Sequence, residues 1–367
     1  MKPLRITIDA VPALVRSAGV KSYVYHWVRH LRRCAAGPDA GEDIRIFPRL
    51  GDLGELNHDA STLGPWTTVS RLAAVHAANL LGPGATALLL ERPDVFHASN
   101  QVHHAPKRSA LTATIHDLTA HLMPELHISG NIESDRRFFE RTVRGADGLI
   151  AVSENTRADA IRLLGLSPER ITTIHSGVAE EYFDAPKMKR LRPYALFVGT
   201  IEPRKNLNAL LDAWRLLNPE LRRAFDLVVA GQAGWGAKST LERIRAEATY
   251  LGYVPEADLP GLTAGATAFI YPSIYEGFGF PVAQAMAAGV PIVTSNVSSL
   301  PEITAGAAML VDPRSPSELA AAISRVLEAA DLRTDLSARG REVAQRYRWE
   351  RCAEESLQFF RRVAGGD

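Results

Sequence analysis

The sequence predicts an α/β protein made of two doubly wound, Rossmann-like domains facing across a cleft. Three observations carry that expectation. Short runs of β-branched and apolar residues alternate with longer amphipathic runs, the pattern of parallel strands joined by crossover helices. The chain has 367 residues, more than one hydrophobic core usually serves. A polar, basic stretch without periodicity, DAPKMKRLRP at 184–193, divides the series near its middle and reads as a linker.

The strands follow in order. In the first half RITIDA (5–10), IRIF (44–47), VFHA (95–98), TATIH (112–116), LIAVS (149–153) and ITTIH (171–175) have strand length and strand residue types. The second series is ALFVG (195–199), LVVAG (227–231), AFIYP (268–272), PIVTS (291–295) and AMLVD (308–312). The last stretch is helical and breaks in two near Arg346–Arg348. No internal repeat or low-complexity segment is present. In open α/β sheets ligands bind beyond the carboxyl ends of the strands, so the loops that follow these strands are where functional residues belong.

Composition narrows the classes. Apolar content of 46% and charged content of 23% describe an ordinary globular chain. A formal net charge of +1 provides no global field for nucleic acid. Cys34 and Cys352 have no metal-like spacing and read as free thiols in a reducing compartment. The start, MKPLRITIDA, lacks the long apolar core of a signal peptide, and no run reaches the ~18 apolar residues of a membrane span. The expectation is a cytoplasmic protein.

Five loops carry candidate chemistry. After the first strand, Gly19 opens a helix with Val20, Val24, Val28 and Leu31 on one face, and a helix N-terminus suits a diphosphate. An ordinary β–α turn is the plainer reading of a single glycine. His116 and Asp117 end the fourth strand, within a stretch, His97 to His127, that holds six of the eleven histidines. Within that stretch no His-x-x-x-His pair with an added carboxylate appears, so no metal site is expected there. A polar group facing the cleft and a satisfied structural histidine stay open for His116. In VGTIEPRKNL (198–207), Arg204 and Lys205 stand side by side before a helix, a fork and a point charge suited to a diphosphate. A solvated basic turn is the alternative. AGQAGWG (230–236) is a glycine-rich turn after a strand, and Gly252–Val254 could offer backbone groups to a planar base. In YPSIYEGFGFPVAQAMAAGVPIVTS (271–295), Glu276 sits in a glycine-rich turn and Gln284 follows eight residues later in a helix-forming run.

Four of these pieces in this order (AVSENTRADAIRLLGLSPERITTIHSGVAEEYF, FVGTIEPRKNL, LGYVPEADLPGLTAGA and PSIYEGFGFPVAQAMAAGVPIVTS) resemble the retaining glycosyltransferases of family 4, glycosyl transferases group 1, with the GT-B fold. The resemblance covers nearly the whole chain. IHDL with the following PE, and EPRKNL, are similar to bacterial mannosyl- and rhamnosyltransferases that build surface polysaccharides. It implies an acceptor-side domain at 1–184, a nucleotide-sugar domain at 185–346 and a final helix, 347–367, crossing back to the first. It implies that Arg204 and Lys205 hold the donor diphosphate, that Glu276 contacts the donor sugar, and that Gly277, Phe278 and Gly279 lend backbone N–H groups. Gln284 would hold the ribose in place of a glutamate. His116 would lie near the donor sugar, Gly19 near the phosphates, Gly199 at the donor, and Tyr253 and Val254 beside the base. Thr200 stands where many members have arginine, which leaves phosphate binding to Arg204 and Lys205.

The implied reaction is hexose transfer, mannose or rhamnose, from a nucleotide diphosphate sugar to a saccharide or lipid-linked saccharide hydroxyl. It retains the anomeric configuration and uses no metal and no cofactor beyond the donor. A GDP- or dTDP-sugar is the expected donor, and Gln284 in place of glutamate raises the odds of dTDP against GDP. A nucleotide-sugar epimerase or hydrolase on the same fold, and a silent sugar-nucleotide-binding subunit, are the competing readings. Arg29, Arg32 and Arg33 read as a solvated helix face, or as a peripheral contact with anionic lipid at the inner membrane face.

Overall fold

The computed structural model describes residues 3–15, 19–37, 41–48, 53–56, 61–81, 92–99, 105–106, 108–127 and 129–365. The chain forms two compact units, Met1–Gly177 with Trp349–Asp367, and Val178–Arg348.

The first unit holds β1 (Leu4–Asp9), β2 (Glu42–Phe47), β3 (Val95–Ala98), β4 (Ala110–Ile115), β5 (Gly148–Ala151) and β6 (Ile171–Thr173). They make one parallel sheet in the order β2-β1-β3-β4-β5-β6. The order reverses between β1 and β3. The helix Gly19–Ala35 follows β1 and buries Val24, Val28 and Leu31, but Val20 is exposed and Lys21 is wholly buried. The terminal helix Trp349–Val363 packs along it: Trp27 Nε1 donates to Ser356 Oγ at 2.9 Å, and the Tyr23 and Trp349 rings meet edge-on at 5.6 Å. Local signals act as written in the sequence. Ser153 caps the helix Glu154–Leu164 by accepting from Thr156 N at 3.0 Å, and Gly165 closes it in the left-handed region at φ 62°.

The second unit holds β7 (Tyr194–Val198), β8 (Asp226–Ala230), β9 (Thr249–Gly252), β10 (Ala268–Tyr271), β11 (Ile292–Ser295) and β12 (Met309–Val311). The parallel order is β12-β11-β10-β7-β8-β9. β7 and β10 are almost entirely buried, as expected of central strands covered on both faces. The chain runs outward from β7 to β9, then returns to the other side of β7 as β10. The switch point is therefore the gap between the ends of β7 and β10.

Two expectations are revised. β9 was expected only as a loop; it is a short edge strand whose four residues are all half-buried, with no continuous apolar run to announce it. The boundary between units falls at Gly177/Val178, ahead of the expected linker. Val178 N donates to Tyr347 O at 2.8 Å, Tyr182 is buried and Met188 N donates to Gly261 O at 2.9 Å, so the basic stretch is tied into the second unit.

Candidate active site

The switch point of the second sheet brings the predicted charged residues together. The turn after β7 carries Glu202, Arg204 and Lys205, and Asn206 follows in the left-handed conformation at φ 57°. The Asn206 amide donates to Pro272 O at 3.1 Å and Pro313 O at 2.7 Å, which ties this turn to the loop beyond β10. Ile274 N donates to Arg204 O at 2.9 Å and adds a second tie.

Glu276 is the centre of the cluster and is buried, 6% exposed. Its Oε1 accepts from Lys205 Nζ at 2.6 Å, Ser273 Oγ at 2.6 Å and Tyr271 OH at 3.0 Å. Its Oε2 lies 2.9 Å from Arg204 Nη1, and Arg204 Nη2 lies 2.7 Å from Glu202 Oε1. Its main chain is held too. Glu276 N donates to Ser298 Oγ at 3.0 Å, and Ser299 Oγ reaches Glu276 O at 3.0 Å and Phe278 O at 2.9 Å. Ser298 adopts φ 55°, an uncommon conformation for a residue with a Cβ.

Two cations thus face two carboxylates in a buried cluster. Burial alone would raise the Glu276 pKa, but the charges of Arg204 and Lys205, with the hydrogen bonds from Lys205 and Ser273, hold it at about 2. Lys205 moves below its usual value, through burial and then the charge of Arg204, against the pull of Glu276 and Glu202. Glu276 is therefore ionised, and the ammonium is held where a further anion would be welcome. The chemistry on offer is electrostatic: two fixed, largely buried cations, able to stabilise a developing negative charge.

The exits of β7, β8 and β9 form a ledge of bare backbone. Gly199, Gly231 and Gly252 stand at these three exits with positive φ. A Cβ on Gly231 would strike the Gly199 carbonyl, so the two exits touch. Gly199 N donates to Ala230 O at 3.0 Å, and Gly231 N to Gly252 O at 2.7 Å. The Gly199 amide and the Gly252 carbonyl are thus each hydrogen-bonded to the exit of a neighbouring strand.

Comparison with known proteins decides the family. The family described as Glycosyltransferase Family 4 matches residues 17–182, and that described as Glycosyl transferases group 1 matches residues 178–343. O-antigen chain mannosyltransferase B of Escherichia coli is 33% identical over 305 residues, covering 78% of this chain and 80% of that protein. The chain belongs to glycosyltransferase family 4. Sucrose-phosphate synthase from Thermosynechococcus elongatus shares the fold with this glycosyltransferase at a TM-score of 0.73 and 19% identity, over 98% of this chain and 99% of that one. Anabaena HepE in complex with UDP-glucose gives 0.69 at 17% identity, over 97% and 99%. Both likenesses are of fold alone, the GT-B arrangement of two parallel-sheet domains.

The remaining predicted residues of the glycosyltransferase are less concentrated. Gly279 precedes the helix Phe280–Ala287 at φ 98°, and an added Cβ would lie 2.9 Å from Leu300 Cδ2. Gly277 stands between Glu276 and Phe278, whose side chain is core, against Phe280 and Tyr347, so only the backbone of 278 can face a ligand. Gln284 is half-buried on the same helix. Tyr253 is exposed and Val254 half-buried just beyond β9.

In the first unit His116 follows β4, half-buried, with the Tyr23 ring of the 19–35 helix edge-on at 4.8 Å. Burial lowers its pKa to about 4 despite Asp117, so it is neutral at ordinary pH and offers one N–H and one lone pair. Asp117 Oδ1 accepts from Thr119 N at 3.1 Å and Thr119 Oγ1 at 2.7 Å, a local turn contact two residues on. His97 is the satisfied structural histidine of the stretch, with Nδ1 3.0 Å from Thr112 Oγ1 and Nε2 3.1 Å from Thr114 Oγ1. Gly19 opens its helix with open space where a Cβ would go. Residues 16–18 of its loop lie outside the described residues, as do His103 and His104. Arg29 and Arg33 are both exposed, and Arg29 donates to Tyr25 OH at 3.0 Å. Among the described residues no helix is long and apolar enough to cross a membrane.

Sequence reasoning passed over Glu202, Tyr271, Ser273, Ser298 and Ser299. Glu202 and Ser273 lie within four residues of the ends of β7 and β10, and that position is the signal that would have found them; Ser298 and Ser299 follow β11.

Proposed function

We propose that this glycosyltransferase moves a hexose, mannose before rhamnose, from a nucleotide diphosphate sugar to a saccharide or lipid-linked saccharide hydroxyl. It is a hexosyltransferase of surface-polysaccharide synthesis. The observation that carries this reading is the 33% identity to O-antigen chain mannosyltransferase B across 78% of the chain. The buried cluster of Arg204, Lys205 and Glu276 supports the donor half of the reaction.

Arg204 and Lys205 receive the charge that develops on the departing diphosphate, which removes the need for a bound divalent cation or other cofactor. The sugar passes through an oxocarbenium-like state. Lys205, Tyr271 and Ser273 fill Oε1 of Glu276, so a sugar hydroxyl meets Oε2 or the backbone of 277–279. Tyr253 and Val254 flank the base, Gln284 the ribose, and His116 offers a neutral hydrogen-bonding group to the sugar. Transfer retains the anomeric configuration, with the donor phosphate accepting the acceptor's proton on the same face.

The test offers GDP-, UDP- and dTDP-linked mannose or rhamnose with a lipid-linked saccharide, in excess EDTA. A product that keeps the donor's anomeric configuration, formed from a GDP- or dTDP-sugar, is the expected result. Loss of turnover in EDTA restored by magnesium, or an inverted product, overturns the reading.

A further inference from the structure

We propose that Tyr271 is a positioning residue for transfer: its hydroxyl fixes the rotation of the Lys205 ammonium and so directs the remaining N–H at the leaving diphosphate. The inference rests on the reading of Lys205 as a diphosphate cation.

An ammonium has three N–H groups and rotates freely about its Cε–Nζ bond unless two of them are held. In Lys205 one donates to Glu276 Oε1 at 2.6 Å and a second to Tyr271 OH at 2.7 Å. Two anchors leave the third N–H a single direction. Among the described residues no acceptor takes it. The tyrosine can play this part because its own proton is committed. It donates to Glu276 Oε1 at 3.0 Å, so its lone pair is turned to the lysine. Burial and the neighbouring Glu276 carboxylate push Tyr271 ionisation well above the ordinary range, so the group stays a phenol at working pH.

The ring holds its place without the hydroxyl. It stacks on Phe197 at 5.4 Å and Phe269 at 6.1 Å, and Thr294 Oγ1 donates to the Tyr271 carbonyl at 2.7 Å. Lys205 Nζ lies 5.2 Å from the ring centroid, a contact that phenylalanine preserves. Tyr271→Phe thus removes one oxygen and leaves the packing. If the hydroxyl served only to satisfy a buried lysine, its loss would lower stability and leave kcat alone.

The experiment compares wild type, Tyr271→Phe, Lys205→Ala and the double variant in the full chain. It measures kcat and KM for the sugar-nucleotide donor, calorimetric affinity for the free nucleoside diphosphate, and thermal melting. The expected result is a kcat about tenfold lower in Tyr271→Phe with affinity within about twofold, a loss realised only in the transition state. Adding Tyr271→Phe to Lys205→Ala then lowers kcat no further, because the hydroxyl acts through the lysine. Wild-type kcat in Tyr271→Phe, or a full second loss in the double variant, overturns the inference while leaving Lys205 in its role. Wild-type turnover in Lys205→Ala removes the reading beneath it and the inference together.

Discussion

Lys205 Nζ sits 2.6 Å from Glu276 Oε1, although 71 positions separate the two residues in the chain. The pair occupies the place where strand order reverses, and it decides what charge the site presents to an arriving anion.

Lys205→Ala is expected to lower transfer at least ~100-fold, about 2.7 kcal/mol of transition-state stabilisation. Glu276→Gln should damage turnover as severely, yet bind free nucleoside diphosphate at least as tightly as wild type. Removing the carboxylate leaves Arg204 and Lys205 less neutralised, and that favours an incoming anion. Steady-state kinetics and calorimetry on both variants check this. Wild-type rates in either one exclude that residue from the site.

Two glycines separate strain from collision. Gly165 and Gly231 both have positive φ, but only at Gly231 would a Cβ meet backbone, the Gly199 carbonyl. Gly165→Ala should cost about 1 kcal/mol, the left-handed penalty alone. Gly231→Ala should cost about 3 kcal/mol or more, because the exits of β7 and β8 must part. Urea unfolding of the two variants measures the contrast, and equal costs contradict it.

The first unit should lose stability in acid through its histidines. His97 and His116 have folded pKa values lowered to about 3 and about 4, by burial first and then, for His97, by the charge of His116. Each binds fewer protons folded than unfolded, so its contribution is whole above the model-peptide value near 6.5 and is lost as pH falls through the folded values. Asp135, raised to about 6 by burial and the Asp117 charge, works the other way and flattens the wild-type curve. The difference between wild type and His97→Gln removes that term. The variant should show a weaker dependence of urea midpoint on pH between roughly 6.5 and 4. Parallel curves would show that His97 does not titrate on unfolding.

Gln284→Glu should change donor choice. A glutamate accepts from both hydroxyls of a ribose diol, whereas glutamine has one acceptor oxygen and an NH₂ donor. A charged hydrogen bond exceeds a neutral one by roughly 1 kcal/mol, so GDP and UDP should bind about 5- to 10-fold tighter. A dTDP ligand, without a 2′-hydroxyl, should change little. Calorimetry with the three diphosphates is the check, and a uniform loss would place Gln284 away from the ribose.

Much of this was legible because parallel sheets write themselves plainly. A central strand such as β7 is apolar at nearly every position, and the residue after it is a glycine. Arg204, Lys205 and Glu276 could be found by their place after strands. Tyr271 could not, because its ring belongs to the core and only its oxygen reaches the site. Ser298 was hidden for another reason: its φ of 55° is a conformation that residue type does not announce. β9 was missed because a half-buried edge strand of four residues has too short a period to read. The boundary at 177/178 depends on how Val178 and Tyr182 pack, which local charge does not reveal.

The order in which the chain is made adds a constraint. β10 is central, paired with β7 on one side and β11 on the other, and it comes after β9 in sequence. At ordinary translation speeds the 71 residues from Asn206 through Glu276 take roughly 4–14 s to synthesise. Until they emerge, one edge of β7 has no neighbour and the lysine lacks the carboxylate it donates to. A nascent or truncated chain that stops in this window therefore presents an open strand edge and a lysine short of its main acceptor. It should behave as a substrate for chaperones and proteases, not as a dormant half-enzyme, so nucleotide-binding competence appears in one late step of synthesis.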